Sequence, residues 1–388
     1  MTTAGLALSA TPAAARVTLS GVTIRDFRNI AGTEMAIPPD GLAIVGDNGQ
    51  GKTSFLEAIS YLELLRSMRG VRDRDLVRFG AEGFFVGAET DGAVVRECAV
   101  GVDRAGRKRV SLDGVETPRL TEALGAVPSV CFSPSDVTLV AGSPAERRRY
   151  LDIALALSSS RYLASLRQYR AALARRNAAL RETARSGGRV STVASWEPAL
   201  AEQGAVLVVE RRRWVAERGG EFSALCAAIG ERQAMTMEYE SPFAESTDVR
   251  AALAAALARG REHDVRRGLT HAGPHRDDLA LRLADRDLRV VGSAGEQRTA
   301  AIALRLLEAA TFRARNGAQP VLLLDDPFAE LDRRRAARVL ALLDDASSRG
   351  LGQTVLCVPR EDDIPAAFTR LERWCVVDGA FARLRSAP

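Results

Sequence analysis

The stretch that most constrains this chain is Gly46–Ser54, "GDNGQGKTS". It satisfies the pattern G-x-x-x-x-G-K-[ST] in full. The apolar run Leu42–Val45 leads into it, and Phe55, Ile59, Leu62 and Leu65 follow at helical spacing. A strand that feeds a glycine loop and then a helix requires an α/β layer, because both elements must bury an apolar face. The glycines let backbone N–H groups curl around an oxyanion without Cβ clashes, and the helix N-terminus adds positive partial charge. This assigns Gly46, Asp47, Asn48, Gly49, Gln50, Gly51, Lys52, Thr53 and Ser54 to a nucleotide phosphate cradle. Lys52 would reach the β- and γ-phosphates of ATP, and Thr53 would offer its hydroxyl to Mg²⁺.

Lysine is rare here. Of 54 Lys and Arg residues only Lys52 and Lys108 are lysine. A guanidinium is a planar fork, whereas an ammonium is a compact point charge on a thin stem, so a tight phosphate cradle has room only for the latter. Lys108, in "RAGRKRV", reads as exposed, without such a constraint.

The 388 residues allow one large domain or two modest ones, and 46% apolar with 27% charged residues is an ordinary globular balance. No apolar run approaches the length of a membrane span. The opening "MTTAGLALSATPAAAR" lacks a basic n-region, and residues 1–15 read as a disordered leader. Five cysteines without C-x-x-C spacing suit buried thiols in a reducing cytosol, giving a cytoplasmic expectation. A net charge of +5, with arginine runs at 147–149, 211–213 and 333–335, fits a protein that meets phosphate backbones, or simply a compositional bias.

Strands are expected at "VTLSGVTIRDF", "MAIPPDGLAIVG", "GFFVGAET", "VVRECAVGV" and "KRVSLDG". From Pro144 to about Gly230 the texture turns helical. Tyr162, Leu166, Tyr169, Leu173 and Leu180 form a stripe broken by polar Arg176, while Leu200, Leu207 and Trp214 recur every seven. Two helices joined through "ARSGGRVS" would make a short antiparallel hairpin; ordinary amphipathic helices packed on the body are the alternative. "DDLALRLADRDLRVVGS" reads as a β-hairpin, followed by a helix from Thr299 to about Arg313, a second from Arg334, and the strand "TVLCV".

Further motifs complete the chemistry. "PVLLLDDPF" ends an apolar run at Asp325 and Asp326: Asp325 would order Mg²⁺, and Asp326 would polarise the attacking water alongside Lys52. Ser293, Ala294, Gly295, Glu296 and Gln297 stand just before a helix, in an S-x-G-x-Q pattern, and "PFAELD" ends at Asp332. This order is that of ABC-type ATPases, in which the Ser-Gly signature loop of one subunit completes the nucleotide site of another. Some 240 residues separate Gly51 from Ser293, too many for a transporter subunit and far too few for the arms of SMC proteins.

Over about residues 17–388 the chain resembles the RecF family of bacterial replication and recombination-repair ATPases. The likeness rests on "FRN" (Phe27–Asn29), "GDNGQGKTSFLEAI", "LVRFGAE", "FSPSDVTLVAGSPAERRRYLD" (Phe132–Asp152), "GPHRDDL" (Gly273–Leu279), "GSAGEQRTAAIALRLLEA" and "PVLLLDDPFAELD". The resemblance implies an α/β fold: an ABC-type ATPase head of mixed sheets and helices (16–140 and 270–388), with a helical lobe at 141–269 carrying the hairpin. It also implies ATP and Mg²⁺ as cofactors, ATP-dependent homodimerisation and weak DNA-stimulated ATPase activity. Binding to single-stranded DNA and single-strand/double-strand junctions would follow, with a nucleoid-associated place in the cytoplasm and with RecR and RecO helping to load RecA. The chain departs from the family pattern at Ser54 for Asn, Ser135 for Glu, and Ala294 and Glu296 in the signature loop. Glu296 sets an acid near the partner's γ-phosphate. No switch-loop histidine follows the last apolar strand, in "VLCVPRED".

His263, His271 and His275 fall within thirteen residues and invite a metal reading, but Pro274 breaks the helix that an i,i+4 pair needs. His275 and Arg276 belong to "GPHRDDL" and either line a lobe interface, contact phosphate, or serve structurally beside Asp277 and Asp278. Two rival functions share such a head: a soluble ABC-type ATPase subunit driving a non-DNA partner, and an overcoming-lysogenisation-defect nuclease, which needs a further acidic domain.

Overall fold

A computed structural model describes residues 15–186, 190–328, 331–348 and 353–384. The leader expected over 1–15 lies outside them except for Ala15, which with Arg16 pairs parallel to Ala318–Gln319. The chain forms two compact units: residues 1–133, 312–329 and 339–388, and residues 134–311 with 330–338. The domain boundaries read from the sequence differ, since residues 270–311, grouped there with the ATPase core, pack with the helical unit.

In the first unit one sheet runs Ala380–Arg383, Glu372–Val377, Gly41–Val45, Thr354–Val358, Val321–Asp325, Ser129–Phe132, with only the first of these antiparallel to its neighbour. Its central strands are continuous apolar runs, as parallel strands covered on both faces must be. A second, antiparallel sheet runs Ile30–Ala36, Thr18–Phe27, Gly83–Asp91, Glu97–Asp103, Lys108–Leu112, Val115–Glu116. Helix Lys52–Leu64 shares one buried cluster with strands of both sheets, and Phe55, Leu56, Ile59 and Leu62 are fully enclosed. Where one long strand was expected at "MAIPPDGLAIVG", Pro38 and Pro39 fall between two strands; proline has no N–H to give a ladder.

Lys108 is not exposed as expected. It is 12% exposed, paired with Asp73 at 2.8 Å, donating to the Leu65 carbonyl at 2.5 Å and lying 5.1 Å from the Tyr61 ring centre.

The second unit holds helices Pro144–Ala156, Ser160–Ser186, Glu197–Ile229 and Val249–Arg267, and helix Ala294–Asn316 as far as Thr311. Helices 160–186 and 197–229 pack together through the two expected stripes, with Tyr162, Leu166, Tyr169, Leu180, Leu200, Leu207 and Trp214 all buried. The expected joining glycines, Gly187 and Gly188, lie outside the described residues. A three-stranded sheet completes the unit: Met235–Glu240, Asp278–Leu283 and Arg286–Asp287. The hairpin expected at 277–293 is therefore short. Asp287 caps the Arg289 N–H and a helical turn, Leu288–Val291, replaces the second arm.

Arg176, which seemed to break the stripe, is 0% exposed. It donates to Asp264 at 2.7 Å, Thr270 Oγ1 at 2.8 Å and Glu197 at 3.0 Å, tying three helices together. Breaking such a network strands buried carboxylates, at a cost of about 3–5 kcal/mol. Arg176→Met should lower the free energy of urea unfolding by that amount, and a loss under about 1 kcal/mol would contradict the network's role.

Candidate nucleotide-binding site

Strand Gly41–Val45 ends at the glycine loop and helix Lys52–Leu64 leaves it, as the motif demands. Gly51 has φ +123°, a conformation that L side chains rarely adopt, and a Cβ on Gly46 would stand 2.6 Å from the Val376 carbonyl oxygen. Both positions therefore require glycine. Lys52 is 7% exposed and its ammonium turns back on the loop, donating to the Gly46 and Asp47 carbonyls, the latter at 2.9 Å. A thin ammonium stem fits that curl; a guanidinium fork does not.

Thr53 Oγ1 lies 2.9 and 3.1 Å from the two carboxylate oxygens of Asp325, to which it donates across 272 positions of sequence. Asp325 ends strand Val321–Asp325 and is buried. Burial raises its pKa, opposed by the Thr53 hydrogen bond and by the charges of Arg69 and Lys52. A desolvated carboxylate beside a hydroxyl is a hard-oxygen pair of the kind Mg²⁺ takes, so the residues present fit that ion. Asp326 follows in a left-handed conformation (φ 43°), its N–H donating to Cys357 O at 2.9 Å. Aspartate tolerates that region better than most residues.

Several supports of the loop were not foreseen. The turn at Asp26–Asn29, with positive φ at Asp26 and Arg28, carries Asn29 to the loop. There Asn29 donates to Gly49 O at 3.1 Å and accepts from Ser54 Oγ at 2.8 Å. Beneath it Arg28 pairs with fully buried Glu57 at 3.0 Å. Gln50 is held twice by the turn after strand Glu372–Val377: its side-chain oxygen accepts from Asp378 N at 2.6 Å and its carbonyl from Gly379 N at 2.9 Å. The "FRN" stretch was the available signal for Asn29; nothing local in sequence marked Arg69 or Asp378.

The Ser293–Gln297 turn and Asp332 belong to the second unit. Helix Ala294–Asn316 starts five residues earlier than the expected Thr299, so Ala294, Gly295, Glu296 and Gln297 form its first turn and do not precede it. The cause is a capping box: Glu296 accepts from Ser293 N at 2.7 Å and Ser293 Oγ at 2.8 Å, while Glu296 N donates back to Ser293 Oγ at 3.3 Å. The Ser293 backbone bond foremost, then its hydroxyl, lowers the Glu296 pKa. Asp332 caps helix Arg333–Ser348, accepting from Arg334 N at 2.9 Å and Arg335 N at 3.0 Å. Arg335 then pairs with Glu231 at 2.9 Å beside Thr299, locking this corner of the unit.

Among the described residues no group of three His, Cys, Asp or Glu side chains is arranged to hold a metal. His271 bonds Asp264 at 2.7 Å, and His275 sits between Tyr169 and the Thr270 carbonyl. No described helix is long and apolar enough to cross a membrane.

No protein-family model matches the chain. The DNA replication and repair protein RecF of Anaeromyxobacter dehalogenans strain 2CP-1 is 41% identical over 328 residues, covering 81% of this chain and 86% of its own length. The protein of that name from Roseiflexus castenholzii is 36% identical over 392 residues, covering 92% and 98%. Among solved structures, the recombination mediator protein RecF-ATP of the RecFOR pathway aligns with a TM-score of 0.87 at 28% identity, covering 96% of this chain and 99% of that one. Relatives well above 30% identity over most of the chain, on a matching ABC-type ATPase fold, place this chain in the RecF family of DNA replication and repair proteins.

Proposed function

We propose that this chain is an ATP-gated DNA clamp. The reading is carried by one pairing: a P-loop with its own part-buried Thr53–Asp325 pair, and a capped Ser293–Gln297 turn in a different compact unit. Gly46–Ser54 would hold the phosphates of ATP by backbone N–H groups and Lys52, while Thr53 and Asp325 would hold Mg²⁺. ATP supplies a γ-phosphoryl group that passes to water, with ADP as the leaving group. Asp326, at the end of its strand, would orient that water, and an aspartate one methylene shorter than glutamate suits slow turnover.

Ser293, Gly295 and Gln297 of a second copy would close the site, with Asp332 beside them, so ATP drives dimerisation. The dimer would grip DNA at single-strand/double-strand junctions, and hydrolysis would release it. Binding through arginine to backbone phosphate makes it salt-sensitive and weakly dependent on sequence. The solved RecF-ATP structure of the RecFOR pathway supports ATP as ligand and RecR and RecO as partners. Loading of RecA would follow from that partnership.

Ser293→Arg should abolish ATP-dependent dimers in light scattering while each monomer still binds ATP. Dimers that persist in Ser293→Arg would remove the trans-acting loop from the account. Glu296→Gln, which takes an anion away from the partner's γ-phosphate, should strengthen ATP-dependent dimerisation several-fold, about 1 kcal/mol. Weaker dimerisation would show that the capping role of Glu296 outweighs its charge.

A further inference from the structure

The two stretches "SPAERRRYLD" and "GPHRDDL" take no part in the nucleotide site, yet they meet inside the second unit around one cavity of about 260 Å³. Its walls come from helices Pro144–Ala156, Ser160–Ser186 and Glu197–Ile229 and from His275. Four guanidinium groups line it, those of Arg148, Arg149, Arg170 and Arg211, against a single carboxylate, Asp152.

Asp152 is already committed. It accepts from Tyr162 Oη at 2.6 Å, Arg211 at 2.7 Å and Arg170 at 2.8 Å. Arg211 is buried and also donates to the Pro274 carbonyl at 2.7 Å, so it forms a rigid cationic floor. Arg148, half-buried on the helix opposite, donates to the backbone carbonyl of Asp277 at 2.7 Å, a neutral acceptor. Burial foremost, then the nearby charge of Arg211, hold its pKa below the usual arginine range, against the opposing charges of Asp278, Asp277 and Asp152. A cavity lined by four guanidinium groups, whose one carboxylate is already shared by Arg170 and Arg211, is the arrangement expected where an anion completes the site.

The neighbouring imidazole adds no charge. His275 Nε2–H donates to Thr270 O at 2.9 Å, leaving Nδ1 to accept from Tyr169 Oη at 2.6 Å. Burial presses its pKa to about 4, so it is neutral at physiological pH. Leu166 and Leu207 supply apolar walls that strengthen any charge-assisted hydrogen bond within.

We propose that this cavity is a second anion site, separate from the glycine loop, that takes a single phosphate group between Arg148, Arg170 and Arg211. Planar guanidiniums recognise phosphate oxygens in pairs, and a cavity of this volume holds a phosphate group and its ester neighbour but not a whole nucleoside triphosphate. The phosphate belongs either to a nucleic-acid strand or to a small phosphorylated molecule.

The test is thermal unfolding with inorganic phosphate, at ionic strength held constant with chloride, in wild type, Lys52→Ala, Arg148→Gln and the double variant. Lys52→Ala silences the glycine loop and should keep a phosphate-dependent rise in Tm. In the double variant that rise should disappear. Arg170→Gln, at a half-exposed position, repeats the measurement should Arg148→Gln not fold. Equal phosphate-dependent shifts in Lys52→Ala and in the double variant would overturn the site. Anisotropy with a single-stranded oligonucleotide then identifies the source. About tenfold weaker binding by Arg148→Gln assigns the phosphate to a strand, and unchanged binding beside a lost Tm shift assigns it to a small molecule.

Discussion

The hydrogen bond from Thr53 Oγ1 to the Asp325 carboxylate is the interaction on which the rest of the first unit depends. It joins the first turn of the P-loop helix to the end of a strand 272 residues away, converting two sequence-distant motifs into one site. A buried carboxylate with so few donors is costly unless a cation shares it. That cost is what makes the pair suited to a metal-bearing nucleotide. The parallel sheet beneath fixes the register: Leu324 and Asp325 lie opposite Leu356 and Cys357 of the neighbouring strand, which in turn lie opposite Ala43 and Ile44, just before the loop.

What was legible in the sequence was what local spacing dictates. A strand, a glycine loop and a helix in succession have few alternatives, so Gly41–Val45 and Lys52–Leu64 appear where the pattern put them. The same holds for Val321–Asp325 and Thr354–Val358. Long-range contacts left no such trace. Asn29 reaches the loop through two left-handed residues, Asp26 and Arg28, whose conformation no spacing rule reveals. Arg176 looked like an interruption because a charged residue in a stripe normally faces water, yet here three partners enclose it. One error was avoidable: Ser293 and Glu296 spell a capping box, the standard sign that a helix begins there and not at Thr299.

The two lysines of an otherwise arginine chain now share a physical explanation. Lys52 curls into its own loop and Lys108 fills a slot between Asp73, the Leu65 carbonyl and the Tyr61 ring. Each is enclosed where a compact ammonium fits and a planar fork has no room. Arginine is used where one side chain must reach several acceptors at once, as Arg211 does with Asp152, Tyr162 and the Pro274 carbonyl, and Arg176 with Asp264, Glu197 and Thr270.

The central claim is that the loop at 46–54 binds nucleotide through a lysine whose shape matters as much as its charge. Titration calorimetry of ATP with Mg²⁺ into wild type and into Lys52→Arg, both checked for an unchanged fold by circular dichroism, tests it directly. Lys52→Arg keeps the positive charge, and the account predicts that it loses about a hundredfold in affinity, roughly 2.7 kcal/mol. Binding of ATP by Lys52→Arg at wild-type strength would contradict the account.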